Sequence, residues 1–252
     1  LIGTGEARTS PLLRAIALRA LTRRTQELEI ATDTPAEDTE AHREHNENLV
    51  RVAMAHPDSW LLENTKTYNE HWADEGMASP EERFPNFPYL HYTLEVLADP
   101  NEKVICIEKS RDMMASWICV GFFTYMAQKR PRTQCVFQSQ EEEKAFQLID
   151  YAKQLWRSQP KYLRDAYPLT KDVDDFAKGE MVFVHGSELF AIAGGANKLR
   201  SYHPWGYLND ETTFQTEAGK SYANALAACN KIVLNSSAGS AWYADFRNDV
   251  NV

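Results

Sequence analysis

From residue 104 onward the sequence is punctuated by short runs that are apolar at most positions. They are 104–108 (VICIE), 133–138 (TQCVFQ), 181–184 (MVFV), 188–193 (ELFAIA), 205–209 (WGYLN) and 231–235 (KIVLN). A strand with one face in water alternates apolar and polar residues, whereas one that is apolar throughout is covered on both faces. Helical stretches at about 116–129 and 141–157 fall between these runs. That order predicts an α/β domain, a mostly parallel sheet with helices on both faces.

The first hundred residues read differently. Residues 11–29 predict an amphipathic helix, with Leu13, Ile16, Ala17 and Ala20 on one face and Arg14, Arg19, Arg23 and Arg24 elsewhere. A polar linker at 30–40 and a helix at 41–55 follow, with His42 and His45 on its solvated face. Pro57, Asp58 and Ser59 look like a helix start, which makes 60–76 helical. The stretch 80–88 reads as an ordered loop, because aromatics interleave with its prolines, and 89–98 as another helix. The expected organisation is an N-terminal helical accessory region at 1–58 and one α/β domain at 59–252.

Composition narrows the function classes. With 252 residues, 43% of them hydrophobic, the chain can bury a full core without metal or disulfide staples. Cys106, Cys119, Cys135 and Cys229 form no CxxC pair and mostly lie in apolar runs, so they read as reduced core thiols. The apolar run 117–127 is about half of a bilayer span. The N-terminus has no signal-peptide pattern, so a soluble intracellular protein with no membrane partner is expected. A net charge of −9 argues against a nucleic-acid-coating protein, but not against an enzyme that grips DNA through one local patch.

Two positions carry chemistry. The loop after 104–108 reads Lys109-Ser110-Arg111-Asp112-Met113-Met114-Ala115-Ser116-Trp117. It lies between a strand and a helix, where the phosphate-binding frame GxxxxGK[ST] lies in nucleotide hydrolases. Ser116 takes the last position of the frame, where a hydroxyl ligates Mg²⁺ and the amides of the helix start face phosphates. Met114 stands at the frame's glycine and Ala115 at its lysine, while Lys109 sits at the opposite end of the loop. Taken alone, the loop is equally compatible with an ordinary connection carrying exposed charges. The second position is the strand 205–209 running into Asp210 and Glu211, a Walker B arrangement. There the aspartate holds the Mg²⁺ shell and the glutamate polarises the attacking water. The strand tip at Asn235, Ser236 and Ser237 is a candidate for coupling nucleotide state to movement, or simply a polar turn. Asp172, Asp174 and Asp175 read as a solvated loop.

Taken together, these positions resemble bacteriophage large terminases. Lys109-Ser110-Arg111 is similar to the lambda-type phosphate loop, which carries its lysine at the start. The stretch 194–211 (GGANKLRSYHPWGYLNDE) resembles the terminase pattern of small-residue turn, arginine-bearing loop and Walker B strand, and 131–157 resembles the strand and helix that follow the first helix. The stretch 84–91 resembles the adenine-recognition segment, with His91 in place of the usual glutamine. The resemblance covers about 60–252 and implies a P-loop NTPase fold of the RecA/ASCE-like kind. It implies an ATP hydrolase using ATP and Mg²⁺ to translocate double-stranded DNA into a procapsid. The implied partners are a portal protein and a small terminase subunit, with homo-oligomeric ring assembly on the portal in the host cell cytoplasm. It assigns phosphate binding to Lys109, metal binding to Ser116 and Asp210, and water activation to Glu211. Arg111 or Arg200 would stabilise charge, in cis or across a subunit boundary. The family's C-terminal nuclease is expected to be absent. The alternatives are a superfamily 2 helicase-like ATPase and a catalytically inactive P-loop scaffold.

Overall fold

The structure is a computed structural model that describes residues 40–69, 72–111, 113–192, 194–195, 199, 202–239, 242–243 and 245–246. The expected helix at 11–29, Asp112 and Arg200 lie outside the described residues. The main sheet comprises β3 (Val104–Glu108), β4 (Gln134–Gln138), β5 (Glu180–Val182), β6 (Glu188–Ile192), β7 (Gly206–Asp210) and β8 (Lys231–Ser236). Their spatial order is β3-β8-β7-β4-β6-β5. All neighbours pair in parallel except β5, which is antiparallel to β6 at the edge.

Both faces of this sheet are covered, as the apolar runs require. Cys135, Phe137, Leu208 and Val233 point into a core shared with helices α3 (Ala115–Lys129) and α4 (Glu142–Arg157). The alternate residues Val136, Tyr207, Ile232 and Leu234 point the other way, against Ala225 and Cys229 at the end of α6 (Ala218–Ala228). The two-residue side-chain period thus serves two cores from one strand. Helix α3 is apolar around its whole circumference, from Ile118 to Ala127, because it is enclosed on all sides. All four cysteines are free, and burial pushes the Cys106 and Cys229 thiols up to about 11 and about 12. Among the described residues no helix is long and apolar enough to cross a membrane.

The expected helix at 60–76 is not there. One π-helical turn, Ser59–Glu63, is followed by β1 (Lys66–Tyr68), which pairs antiparallel with β2 (Glu81–Arg83) inside the expected loop. The turn is closed by its own polar side chains. Asn64 Nδ2 donates to the Ser59 carbonyl at 2.8 Å and Thr65 Oγ1 to the Leu61 carbonyl at 2.6 Å. Such local bonds compete with helix continuation, and Thr65, Thr67 and Tyr68 favour strand. Helix α1 (Glu40–Ala53) is present, but His42 and His45 are half-buried rather than on a fully solvated face. Its end joins the main core, where Ala53 and Met54 are buried and Tyr125 Oη donates to the Met54 carbonyl at 3.0 Å. Helix α2 (Pro88–Ala98) falls where expected, whereas the short α5 (Lys161–Ala166) and α6 were not anticipated. The alanine-rich sequence of α6 was the available signal.

One glycine marks a close approach of β7 to α3. A Cβ on Gly206 would lie 2.5 Å from Phe123 Cε1 and 3.1 Å from Cys135 Sγ. Phe123 is fully buried and has no room to retreat. Gly206→Ala is expected to destabilise the domain by about 1–3 kcal/mol, the range for overpacking a core. Chemical denaturation checks it, and an unchanged midpoint and slope would contradict the packing account.

Candidate functional site

The parallel order brings three strand tips together at the carboxyl edge, where ligands bind in open α/β sheets. β8 lies between β3 and β7, so Glu108 is level with Ser236, and Asn235 with Asp210. The ladder extends one step into the loop, with Lys109 N donating to the Ser236 carbonyl at 3.0 Å. The backbone then passes through Met114, which is left-handed at φ 53 and ψ 17, directly before α3 begins at Ala115. Met114 stands where the phosphate-loop frame has its second glycine, and its left-handed conformation is one that glycine adopts most readily. A methionine there costs roughly 1–2 kcal/mol, and the contact of its partly buried side chain with the core helps to offset this.

Five side chains meet below the loop. Ser116 Oγ donates towards Asp210, 3.0 Å from both carboxylate oxygens. Asn235 Nδ2 lies 2.5 Å from Asp210 Oδ1 and 3.3 Å from Ser116 Oγ. Lys109 Nζ pairs with Glu211 Oε1 at 3.0 Å. Burial raises the Asp210 carboxyl above its ordinary range, opposed by hydrogen bonds from Asn235 and Ser116. Glu211 is itself left-handed, at φ 52 and ψ 44.

The residues after Glu211 were not picked out from the sequence, yet they fix its turn. Thr213 N and Oγ1 contact Ser236 Oγ at 3.1 and 2.8 Å, and Thr213 Oγ1 donates to the Ser237 carbonyl at 3.0 Å. Gln215 Nε2 donates to Asn209 Oδ1 and, at 2.9 Å, to the Asp210 carbonyl. The polar stretch Thr212-Thr213-Phe214-Gln215 directly after Asp-Glu was the signal.

The site fits a hard dication and a polyphosphate. Asp210 and Ser116 supply oxygen donors of the kind Mg²⁺ takes, beside the start of α3, where the first amides of a helix have no partner within it. Glu211 Oε2 and Asn235 Oδ1 are buried acceptors that make no hydrogen bond within the described residues, as groups reserved for a ligand or water would be.

Other candidate residues sit elsewhere or do other work. Ser110 and Arg111 are exposed on the loop, and Met113 is half-buried. Trp117 stacks on Tyr151, with ring centroids 4.1 Å apart, and meets Phe84 edge-on. His91 is buried in α2, with Nε2 2.7 Å from Asn86 Oδ1 and Nδ1 3.3 Å from Asp58 Oδ2, so both ring nitrogens are engaged within the protein. Asp172 caps a short turn by accepting from Asp174 N, and Asp174 pairs with Arg157 at the surface.

No protein-family model and no curated protein sequence matches this chain. Solved structures do. The HK97 bacteriophage large terminase superposes with a TM-score of 0.57 at 13% identity, covering 79% of this chain and 42% of that one. The ATPase domain of the Thermus phage P74-26 large terminase aligns at 12% identity and a TM-score of 0.43, covering 72% and 74%. The α/β fold expected from the terminase resemblance is therefore the fold observed, and the chain spans 42% of the length of the HK97 protein.

Proposed function

We propose that this chain is the ATP-hydrolysing part of a DNA-packaging motor. In this reading it uses Mg²⁺-ATP to drive double-stranded DNA into a procapsid, as a ring on a portal protein in the host cytoplasm, with a small terminase subunit as partner. The observation that carries the reading is the convergence of Lys109, Ser116, Asp210, Glu211 and Asn235 at the tips of three adjacent strands. The terminase-like fold supports it.

The geometry of the five side chains supports the following division of labour among them. Lys109 meets the phosphates from the start of the loop, and the amides at the start of α3 face them from its end. Ser116 and Asp210 would hold Mg²⁺, which neutralises phosphate charge when bound. Glu211 accepts a hydrogen bond from the attacking water and draws off its proton. Arg111 or Arg200 stabilises developing charge, in cis or from a neighbour. Through Thr213, the turn carrying Glu211 is tied to Ser236 and Ser237, so a shift of the glutamate is felt at the tip of β8. That makes Asn235, Ser236 and Ser237 the coupling element.

The test is Mg²⁺-dependent phosphate release from ATP. Lys109→Ala is expected to reduce it by about 10²–10³-fold, as for loss of one preorganised charge-stabilising donor. Near-normal turnover would show that the phosphates bind elsewhere. Packaging itself is read from ATP-dependent protection of DNA inside portal-bearing procapsids. No protection with an active ATPase would sink the motor reading while sparing the hydrolase.

A further inference from the structure

The turn at Asp210 and Glu211 is gripped from the β4 side as well as from β8. The ladder between β4 and β7 ends where Gln138 meets Asn209, so the Asp210 carbonyl lies one residue beyond it. Gln215 Nε2 donates to that carbonyl at 2.9 Å and also to Asn209 Oδ1. Behind Gln215 the bonds continue. Gln138 Nε2 lies 3.3 Å from Gln215 Oε1 and 3.4 Å from Ser221 Oγ, and Tyr207 Oη donates to Gln138 Oε1 at 2.7 Å. Tyr207, Gln138 and Asn209 are fully buried, whereas Gln215 is partly exposed. A carbonyl only accepts, so the Gln215 amide has one orientation, with Nε2 towards Asp210 and Oε1 towards Gln138. That orients the Gln138 amide in turn and leaves its oxygen for the Tyr207 hydroxyl.

We propose, resting on the ATPase reading above, that Gln215 is a positioning residue for hydrolysis. It holds the peptide between Asp210 and Glu211 so that Glu211 faces the attacking water, and Gln138 and Tyr207 hold Gln215. The peptide is planar, so fixing the Asp210 carbonyl fixes the direction in which the chain enters Glu211. Glu211 then sits at φ 52 and ψ 44, a conformation that a non-glycine residue keeps only where its surroundings enforce it. Thr213 supplies one restraint through Ser236 and Ser237, and Gln215 supplies the other. Gln215 meets the Asp210 carbonyl rather than its carboxylate. Its loss therefore misdirects Glu211 while the groups proposed for Mg²⁺ and phosphate stay in place. Misplacing a reacting group by about an ångström can cost on the order of 10²-fold in rate. The buried amides and hydroxyl act as one chain, so breaking it at Tyr207 loosens Gln215 as well.

The test measures Mg²⁺-dependent phosphate release and ADP binding for the parent, Gln215→Met, Tyr207→Phe and the double variant. Methionine keeps roughly the length of Gln215 without its amide, and phenylalanine removes only the hydroxyl of Tyr207. Gln215→Met is expected to lower kcat by about 10–10²-fold with KM and ADP affinity unchanged, the pattern of an interaction that matters only in the transition state. Tyr207→Phe is expected to give a smaller fall of the same kind. The double variant is expected to be no slower than Gln215→Met, because both changes act through one chain of bonds. Either single variant at the parent kcat, a loss of ADP affinity matching the loss of rate, or effects that multiply in the double variant would overturn the proposal and spare the ATPase reading. A parent without turnover would overturn both. Should Gln215→Met not fold, Tyr207→Phe decides by its own kcat and KM.

Discussion

Glu211→Gln is expected to lower ATP turnover by about 10²–10⁴-fold, the usual contribution of a positioned general base. The substitution keeps the side-chain length and one acceptor oxygen but removes the negative charge that draws the proton from water. Its effect on binding runs the other way. In the structure Glu211 Oε1 holds Lys109 Nζ at 3.0 Å, so the lysine proposed to meet the phosphates is already engaged by the proposed base. A neutral glutamine holds that lysine less strongly, and nucleotide competes for it more easily. ADP affinity is therefore expected to stay level or rise, which equilibrium titration measures separately from phosphate release. Turnover near the parent value would place the base elsewhere. A fall in ADP affinity would mean that Glu211 shapes the phosphate site rather than the water.

The strands were legible because burial on both faces leaves apolar residues at successive positions, a pattern needing only local sequence. Asp210 and Glu211 were legible because they directly follow such a run. The pairing of Lys109 with Glu211 was not, because 102 residues separate them and only the order of the sheet brings them together. Met114 shows a subtler limit. The sequence departs from the glycine frame there, yet the backbone is left-handed at that position, and packing of the methionine against the core helps to offset the strain. The helix expected at 60–76 failed for the opposite reason. Its apolar residues Trp60 and Leu61 are satisfied within one turn, and Asn64 and Thr65 then take the carbonyls a longer helix would need. His91 was read for a role in base recognition, but Asp58 and Asn86 occupy its ring, a contact set by tertiary packing.

Asp210→Asn is expected to separate stability from function. Asp210 is only 7% exposed, and burial raises its carboxyl above the ordinary value of 3.8 despite the bonds from Asn235 and Ser116. A carboxyl raised on folding contributes stability below its unfolded value and loses it as pH climbs through the folded one. Above the folded value the nucleotide-free domain therefore carries a buried charge at a cost. Asparagine removes the charge and keeps Oδ1 to accept from Asn235, while its amide is able to donate to Ser116. Above that value the nucleotide-free variant is expected to gain about 1 kcal/mol, roughly 2–4 °C for a domain of this size. The gain should shrink as pH falls through the folded value, where the parent carboxyl is itself protonated. The same change removes the charged oxygen of the proposed Mg²⁺ site, so the Mg²⁺-dependent part of ATP affinity and nearly all turnover should be lost together. Thermal melts across pH and titrations with and without Mg²⁺ test both halves. A destabilised variant would mean that the charge is offset by its neighbours, and Mg²⁺-dependent affinity equal to the parent's would remove Asp210 from the metal site. The contrast with Glu211→Gln, which loses rate but not affinity, distinguishes a carboxylate that acts through the ion from one that acts on water.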